Sequence, residues 1–151
     1  MKQVKFGNIL SVDKGIIAHG CNALGIMGAG LALEVKGKYP ACYEVYNSFC
    51  RGFKGTDILG ACVDFKVSPD LTIVNAITQQ NFGRDKRHTS YKAVHIAFEQ
   101  IAELAFSEAM DVHYPLIGAG LGGGDWAIIS DIIDACFEKY PIVNRTLWIY
   151  E

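Results

Sequence analysis

Pro115-Leu116-Ile117-Gly118-Ala119-Gly120-Leu121-Gly122-Gly123-Gly124-Asp125-Trp126 sets a run of glycines between an apolar stretch and an amphipathic one. The apolar stretch, Val112–Ile117, reads as a strand. The amphipathic one, Trp126–Lys139, reads as a helix. Ile129, Ile132, Ile133 and Cys136–Phe137 fall at helical spacing there, and Asp125 is a candidate N-cap. Glycine has no Cβ, so its backbone bends tightly and lets a ligand come close. Consecutive free N–H groups form an anion-binding concavity, and a helix N-terminus adds partial positive charge. Gly25-Ile26-Met27-Gly28-Ala29-Gly30 repeats the design, between a strand ending near His19 and a helix opening near Leu31. Two such loops at one sheet end suit a diphosphate held between them. Either loop alone is equally a plain tight turn.

Working outward, further strands are expected at Val4–Phe6, Gly15–His19, Ile58–Phe65, Thr72–Ala76 and Thr146–Tyr150. Helices are expected at Gly30–Lys38, Ala41–Arg51 behind Pro40, and Tyr91–Met110 with Ser90 as N-cap. Alternating strands and helices predict an α/β sandwich around a mixed, mostly parallel sheet. No repeat or linker divides the chain, so residues 1–151 are expected to form one domain.

Half of the 151 residues are hydrophobic and 20% are charged, which excludes a disordered chain. A net charge of -2 argues against a general nucleic-acid coat. The N-terminus lacks the apolar core of a signal peptide, and no run is long enough for a membrane span. The five cysteines show no metal or disulfide spacing and read as reduced thiols of a cytoplasmic protein. Gly118, Gly120 and Gly123 satisfy G-x-G-x-x-G, but too little chain follows for a dinucleotide fold. A Walker pattern is absent.

Four blocks together resemble the macrodomain family. They are Gly7-Asn8-Ile9-Leu10; Ile17-Ala18-His19-Gly20-Cys21-Asn22 with Met27-Gly28-Ala29-Gly30-Leu31-Ala32; Asn75-Ala76-Ile77-Thr78-Gln79-Gln80; and the opening stretch. The resemblance implies a three-layer α/β/α fold that binds ADP-ribose. The phage and bacterial members it is most similar to are described as ADP-ribose-1''-phosphate phosphatases. It implies small-molecule ADP-ribose derivatives as partners; no ligand cluster of metal type appears in the sequence, so no metal is expected, and neither is a cofactor, and the chain is expected to be a monomer. Nucleic acid enters only as an ADP-ribosylated substrate. By resemblance, Asn8 and Ile9 meet the adenine end, with Asn8 where the family keeps an acid. Gly28, Ala29, Gly30, Leu31, Gly118, Ala119, Gly120, Leu121 and Gly122 hold the diphosphate and distal ribose, and Asn22 reaches the ribose hydroxyls.

Three residues are candidates for the chemistry. His19 has a side chain that titrates near neutrality and is expected to close a strand. Asp125 is expected to activate water, to cap the last helix, or both. Asn22 is expected to position the ribose. Gln79 and Asn81 are placed to touch the distal ribose or a leaving phosphate. A related branch removes ADP-ribose from carboxylates. Its catalytic lysine falls where this chain has Gln79, and its aspartate falls on Gly122. Both departures favour phosphate-monoester hydrolysis over a lysine adduct and equally permit a pure binder. The basic segment from Arg84 to His88 is expected to be a solvated loop or a cover for the site. Trp148 and Tyr150 are core or rim aromatics, one of which would stack on adenine.

Overall fold

The computed structural model describes residues 1–83, 85–120 and 122–150. The elements are β1 (Lys2–Phe6), β2 (Gly15–Asn22), α1 (Gly30–Lys38), α2 (Pro40–Gly52), β3 (Cys62–Lys66), β4 (Leu71–Gln79), α3 (Tyr91–Glu108), β5 (Val112–Tyr114), α4 (Trp126–Phe137) and β6 (Arg145–Ile149). The strands form one sheet in the order β1-β6-β5-β2-β4-β3. All neighbours are parallel except β3 and β4. A short turn near Ser68, whose hydroxyl accepts from Leu71 N–H at 3.1 Å, lets that pair run antiparallel.

Helices cover both faces of the sheet. On one, Ile17, Ile73 and Ile77 pack against Val35 of α1 and Cys42 and Tyr46 of α2. On the other, Ile16, Ala18, Val74 and Ala76 pack against Val94 and Phe98 of α3 and Ile129 and Ile133 of α4. β2 and β4 are therefore buried on both sides, which is why they read as continuous apolar runs. The expected α/β/α layering is what the chain adopts. All five cysteines are free. Among the described residues, no helix is long and apolar enough to cross a membrane.

Several boundaries differ from the sequence expectation. β2 continues past His19 to Asn22, with a bulge between Cys21 and Asn22. β4 continues to Gln79. Residues 58–61 are not strand: Gly60 has φ +91°, and a Cβ there would sit 2.7 Å from Ile96. β5 stops at Tyr114, before Pro115, which has no N–H for the ladder. α3 stops at Glu108, because Ala109 turns left-handed at φ 53°.

Candidate functional site

After β2 the chain passes to α1 on one face of the sheet, and after the adjacent β5 it passes to α4 on the other. That divergence opens a crevice beyond the carboxyl ends of the strands. A cleft of about 570 Å³ occupies it, lined by both glycine loops and the end of β4.

The first loop hangs from Asn22. Its Oδ1 accepts from the N–H groups of Leu24 at 3.0 Å and Ile26 at 3.3 Å. Its Nδ2 donates to the Ile26 carbonyl at 2.8 Å. From α2, the buried Tyr46 hydroxyl donates to the Asn22 carbonyl at 2.6 Å and lies 3.0 Å from Oδ1, and Asn47 donates to the Gly25 carbonyl. The loop is thus fixed before it reaches Gly28. It then opens α1 without a side-chain cap, as Tyr39 opens α2. Ser90 and Asp125 cap α3 and α4 with side-chain oxygens, but Ala29 gives α1 no side-chain cap. The first N–H groups of a helix have no intrahelical partner. Here Gly30, Leu31 and Ala32 of that turn line the cleft.

The glycines of the second loop divide into two kinds. Gly118 and Gly123 have φ +73° and +72°, which a side chain rarely adopts. A Cβ on Gly118 would lie 2.6 Å from Thr89 Cγ2, and one on Gly124 would lie 2.7 Å from Ile129. At Gly122 it would collide with the Thr89 hydroxyl and come within 2.9 Å of the Gly118 carbonyl. The Gly122 carbonyl in turn accepts from the N–H groups of His88 and Thr89 at 2.9 and 3.2 Å. These glycines let the loop pack against residues 86–89. Gly120 is different: a Cβ there meets nothing within 4 Å, its φ is not positive, and it lines the cleft.

The structure brings His19, Asn22, Gly28, Ala29, Gly30, Leu31, Gln79, Gly118, Gly120 and Gly122 to this one cleft. It does not bring Asn8, Ile9, Ala119 or Asp125 to the lining. Asn8 is exposed and caps a 3-10 turn, its Oδ1 accepting from Leu10 N–H at 2.9 Å; Ile9 is buried. Asp125 Oδ1 accepts from Ala127 N–H at 2.9 Å and so caps α4. Leu121 and Arg84 lie outside the described residues. Arg87 lies over the Tyr91 ring at 4.3 Å, and His88 pairs with Asp85 at 3.0 Å. Trp148 donates to His113 Nδ1 on β5, and Tyr150 is exposed; neither lines the cleft.

His19 does not close its strand. It is 1% exposed, with Nε2 2.6 Å from Asn75 Oδ1 and the thiol of Cys21 beside it. Burial lowers its pKa to about 4 against a weaker upward pull from Asn75, so at neutral pH the imidazole is uncharged and Nε2–H donates to the amide. No Asp, Glu, Lys or Arg appears in the lining among the described residues. Any negative charge entering would meet no lysine or arginine among the described lining residues. Phe82, Ile26 and Leu116 line the cleft and were not foreseen. Ile26 and Leu116 lie inside the quoted glycine stretches, so closer attention to their apolar residues would have found them.

No family model matches the chain. Over 146 residues it is 26% identical to a DNA ADP-ribosyl glycohydrolase of Mycobacterium tuberculosis, covering 94% of this chain and 40% of that protein. The chain thus spans well under half of that relative. It is 29% identical over 124 residues to an ADP-ribose 1''-phosphate phosphatase of Candida albicans, covering 75% of this chain and 76% of the other. A macrodomain protein structure from Streptomyces coelicolor superposes with a TM-score of 0.82 at 27% identity, covering 98% of each chain.

Proposed function

The chain belongs to the macrodomain family, and from that premise we propose that it binds ADP-ribose in the cleft and hydrolyses ADP-ribose-1''-phosphate to ADP-ribose and phosphate. The observation that carries the binding is the uncapped first turn of α1, which opens onto a cleft that Gly120 also lines. Free N–H groups and the helix dipole favour a diphosphate there without a cation. In the hydrolysis, water attacks phosphorus and the bond from phosphorus to the C1'' oxygen breaks. ADP-ribose leaves and takes up a proton at that oxygen. The chain contributes positioning and backbone dipoles. Asn22 positions the first loop, His19 packs the floor beneath it, and Asp125 acts as a cap.

A second reading is removal of ADP-ribose from modified DNA, favoured by the mycobacterial likeness over 94% of the chain. Gln79 and Gly122 weigh against the lysine and aspartate chemistry of the related branch. The test is a pair of assays on purified protein. One follows inorganic phosphate from ADP-ribose-1''-phosphate, the other ADP-ribose from ADP-ribosylated DNA. Phosphate release alone supports the first reading, and release from DNA alone replaces it with the second. Tight ADP-ribose binding with no turnover leaves a binding module, and no ADP-ribose binding overturns all three.

Two substitutions probe the site. Gly120→Glu is expected to weaken ADP-ribose binding at least ~100-fold, because a carboxylate would stand beside the diphosphate. Stability should move by no more than about 0.5 kcal/mol, since the Cβ meets nothing. Calorimetric titration and urea unfolding read the two effects separately. Asp125→Ser is expected to keep both turnover and stability, since serine caps a helix equally well. Asp125→Ala should lose about 1 kcal/mol and keep turnover. Turnover lost in both, with ADP-ribose still bound, would return Asp125 to the chemistry.

A further inference from the structure

We propose that Thr89 is a positioning residue for the ligand's diphosphate: it stands behind the second glycine loop and keeps carbonyl oxygens of that loop turned away from the cleft. The inference rests on the ADP-ribose reading of the cleft. Five of the seven residues 118–124 are glycine. Without a Cβ, the peptide units between them turn over easily. A unit turned one way offers an N–H to a ligand, and turned the other way it offers a carbonyl oxygen. A diphosphate is favoured by the first and opposed by the second.

In the structure, Gly118, Gly120 and Gly122 line the cleft, and the carbonyl of each is taken up by residues outside that lining. The Gly118 oxygen accepts from Gly124 N–H at 2.7 Å and from the Thr89 hydroxyl at 3.0 Å. The Gly120 oxygen accepts from Gly123 N–H at 3.1 Å. The Gly122 oxygen accepts from the N–H groups of His88 and Thr89 at 2.9 and 3.2 Å. Of the residues that donate here, Thr89 is the one that serves two of the three carbonyls.

Thr89 is itself fixed. It is buried, and it does not line the cleft. Its backbone bridges to Gln79 at the end of β4. The next residue, Ser90, caps α3 and donates its N–H to the Thr78 carbonyl at 2.8 Å. Thr89 Cγ2 stands 2.6 Å from where a Cβ on Gly118 would be, so the methyl braces the turn that the hydroxyl holds. Dipoles aligned in advance need no reorganisation when the ligand arrives. The hydroxyl acts through Gly118 and does not touch the ligand.

The test is calorimetric titration of the full chain with ADP-ribose, beside urea unfolding of the same variants. Thr89→Val keeps the shape of the side chain and removes the hydroxyl. It is expected to weaken binding about tenfold, the loss that follows when about a tenth of the folded molecules keep the loop set. Thr89→Ser retains the hydrogen bond and should bind within about threefold of wild type. A role confined to folding would lower the urea midpoint of Thr89→Val and leave its affinity at the wild-type value, and that result would overturn the inference. So would a Thr89→Ser that loses as much affinity as Thr89→Val, because the hydroxyl would then not be the agent. If circular dichroism shows Thr89→Val unfolded, Thr89→Ala makes the same comparison without a methyl against the Gly118 oxygen, and the same outcomes decide. A wild type that binds no ADP-ribose would instead overturn the function proposed above.

Discussion

Between pH 6.5 and pH 4 the protein is expected to lose about 3 kcal/mol of folding stability through His19 alone. The buried imidazole has its pKa lowered to about 4, from 6.5 in the unfolded chain. Within that window the unfolded state binds the proton and the folded state does not. Stability therefore rises with pH across the window and falls as acid is added, by roughly 1.4 kcal/mol per unit. Above pH 6.5 both states are neutral and the slope from this group vanishes. Below pH 4 both are protonated and the loss is complete. His19→Gln keeps a donor for Asn75 Oδ1 but has nothing to titrate. It should be less stable than wild type at pH 7 and nearly flat in this group's share of the profile. Urea unfolding at half-unit steps from pH 7 to pH 4 measures both curves. Exposed carboxylates such as Asp85 titrate alike in both proteins and cancel in the difference. Parallel curves would show that His19 is not buried as described.

The same residue illustrates what the sequence could and could not convey. A histidine after Ile16-Ile17-Ala18 looks like the end of an apolar strand. The strand in fact runs on through Gly20, Cys21 and Asn22, because all three are buried or nearly so between β4 and the segment after β5. Nothing local signals that, since the partners come from distant parts of the chain. Helices were more legible. Ser90 and Asp125 announce α3 and α4 by local chemistry, and each accepts the N–H expected of an N-cap. The two glycine loops were legible as loops at one sheet end. The roles of Gly118 and Gly122 were not, because they depend on Thr89, 29 residues from Gly118 in sequence. Asp125 showed the same ambiguity: a carboxylate after a glycine loop has one signature for capping and for chemistry, and the structure shows the cap, with Asp125 outside the lining of the cleft.

Gly122→Ala is expected to destabilise the protein by about 3 kcal/mol, as overpacking of a tight site does. The new Cβ would collide with the Thr89 hydroxyl and press on the Gly118 carbonyl at 2.9 Å. Neither neighbour yields freely. The Thr89 hydroxyl donates to that same carbonyl at 3.0 Å, and Thr89 is 2% exposed. Thr89→Ala alone should cost about 1 kcal/mol through the lost hydrogen bond. In the Thr89→Ala background, Gly122→Ala should cost about 1–2 kcal/mol less than in wild type, because the nearest obstacle is gone. Strict additivity in urea unfolding would mean that the hydroxyl is not what excludes a side chain at 122. The consequence for chemistry is direct. An aspartate at this position needs room that Thr89 takes up, and a lysine in place of Gln79 would have to share the same corner. Gln79, Thr89 and Gly122 therefore form one packing unit. Restoring the related branch's pair by Gln79→Lys and Gly122→Asp alone is expected to cost stability before it confers any new activity, and Thr89→Ala is the change that would have to accompany it.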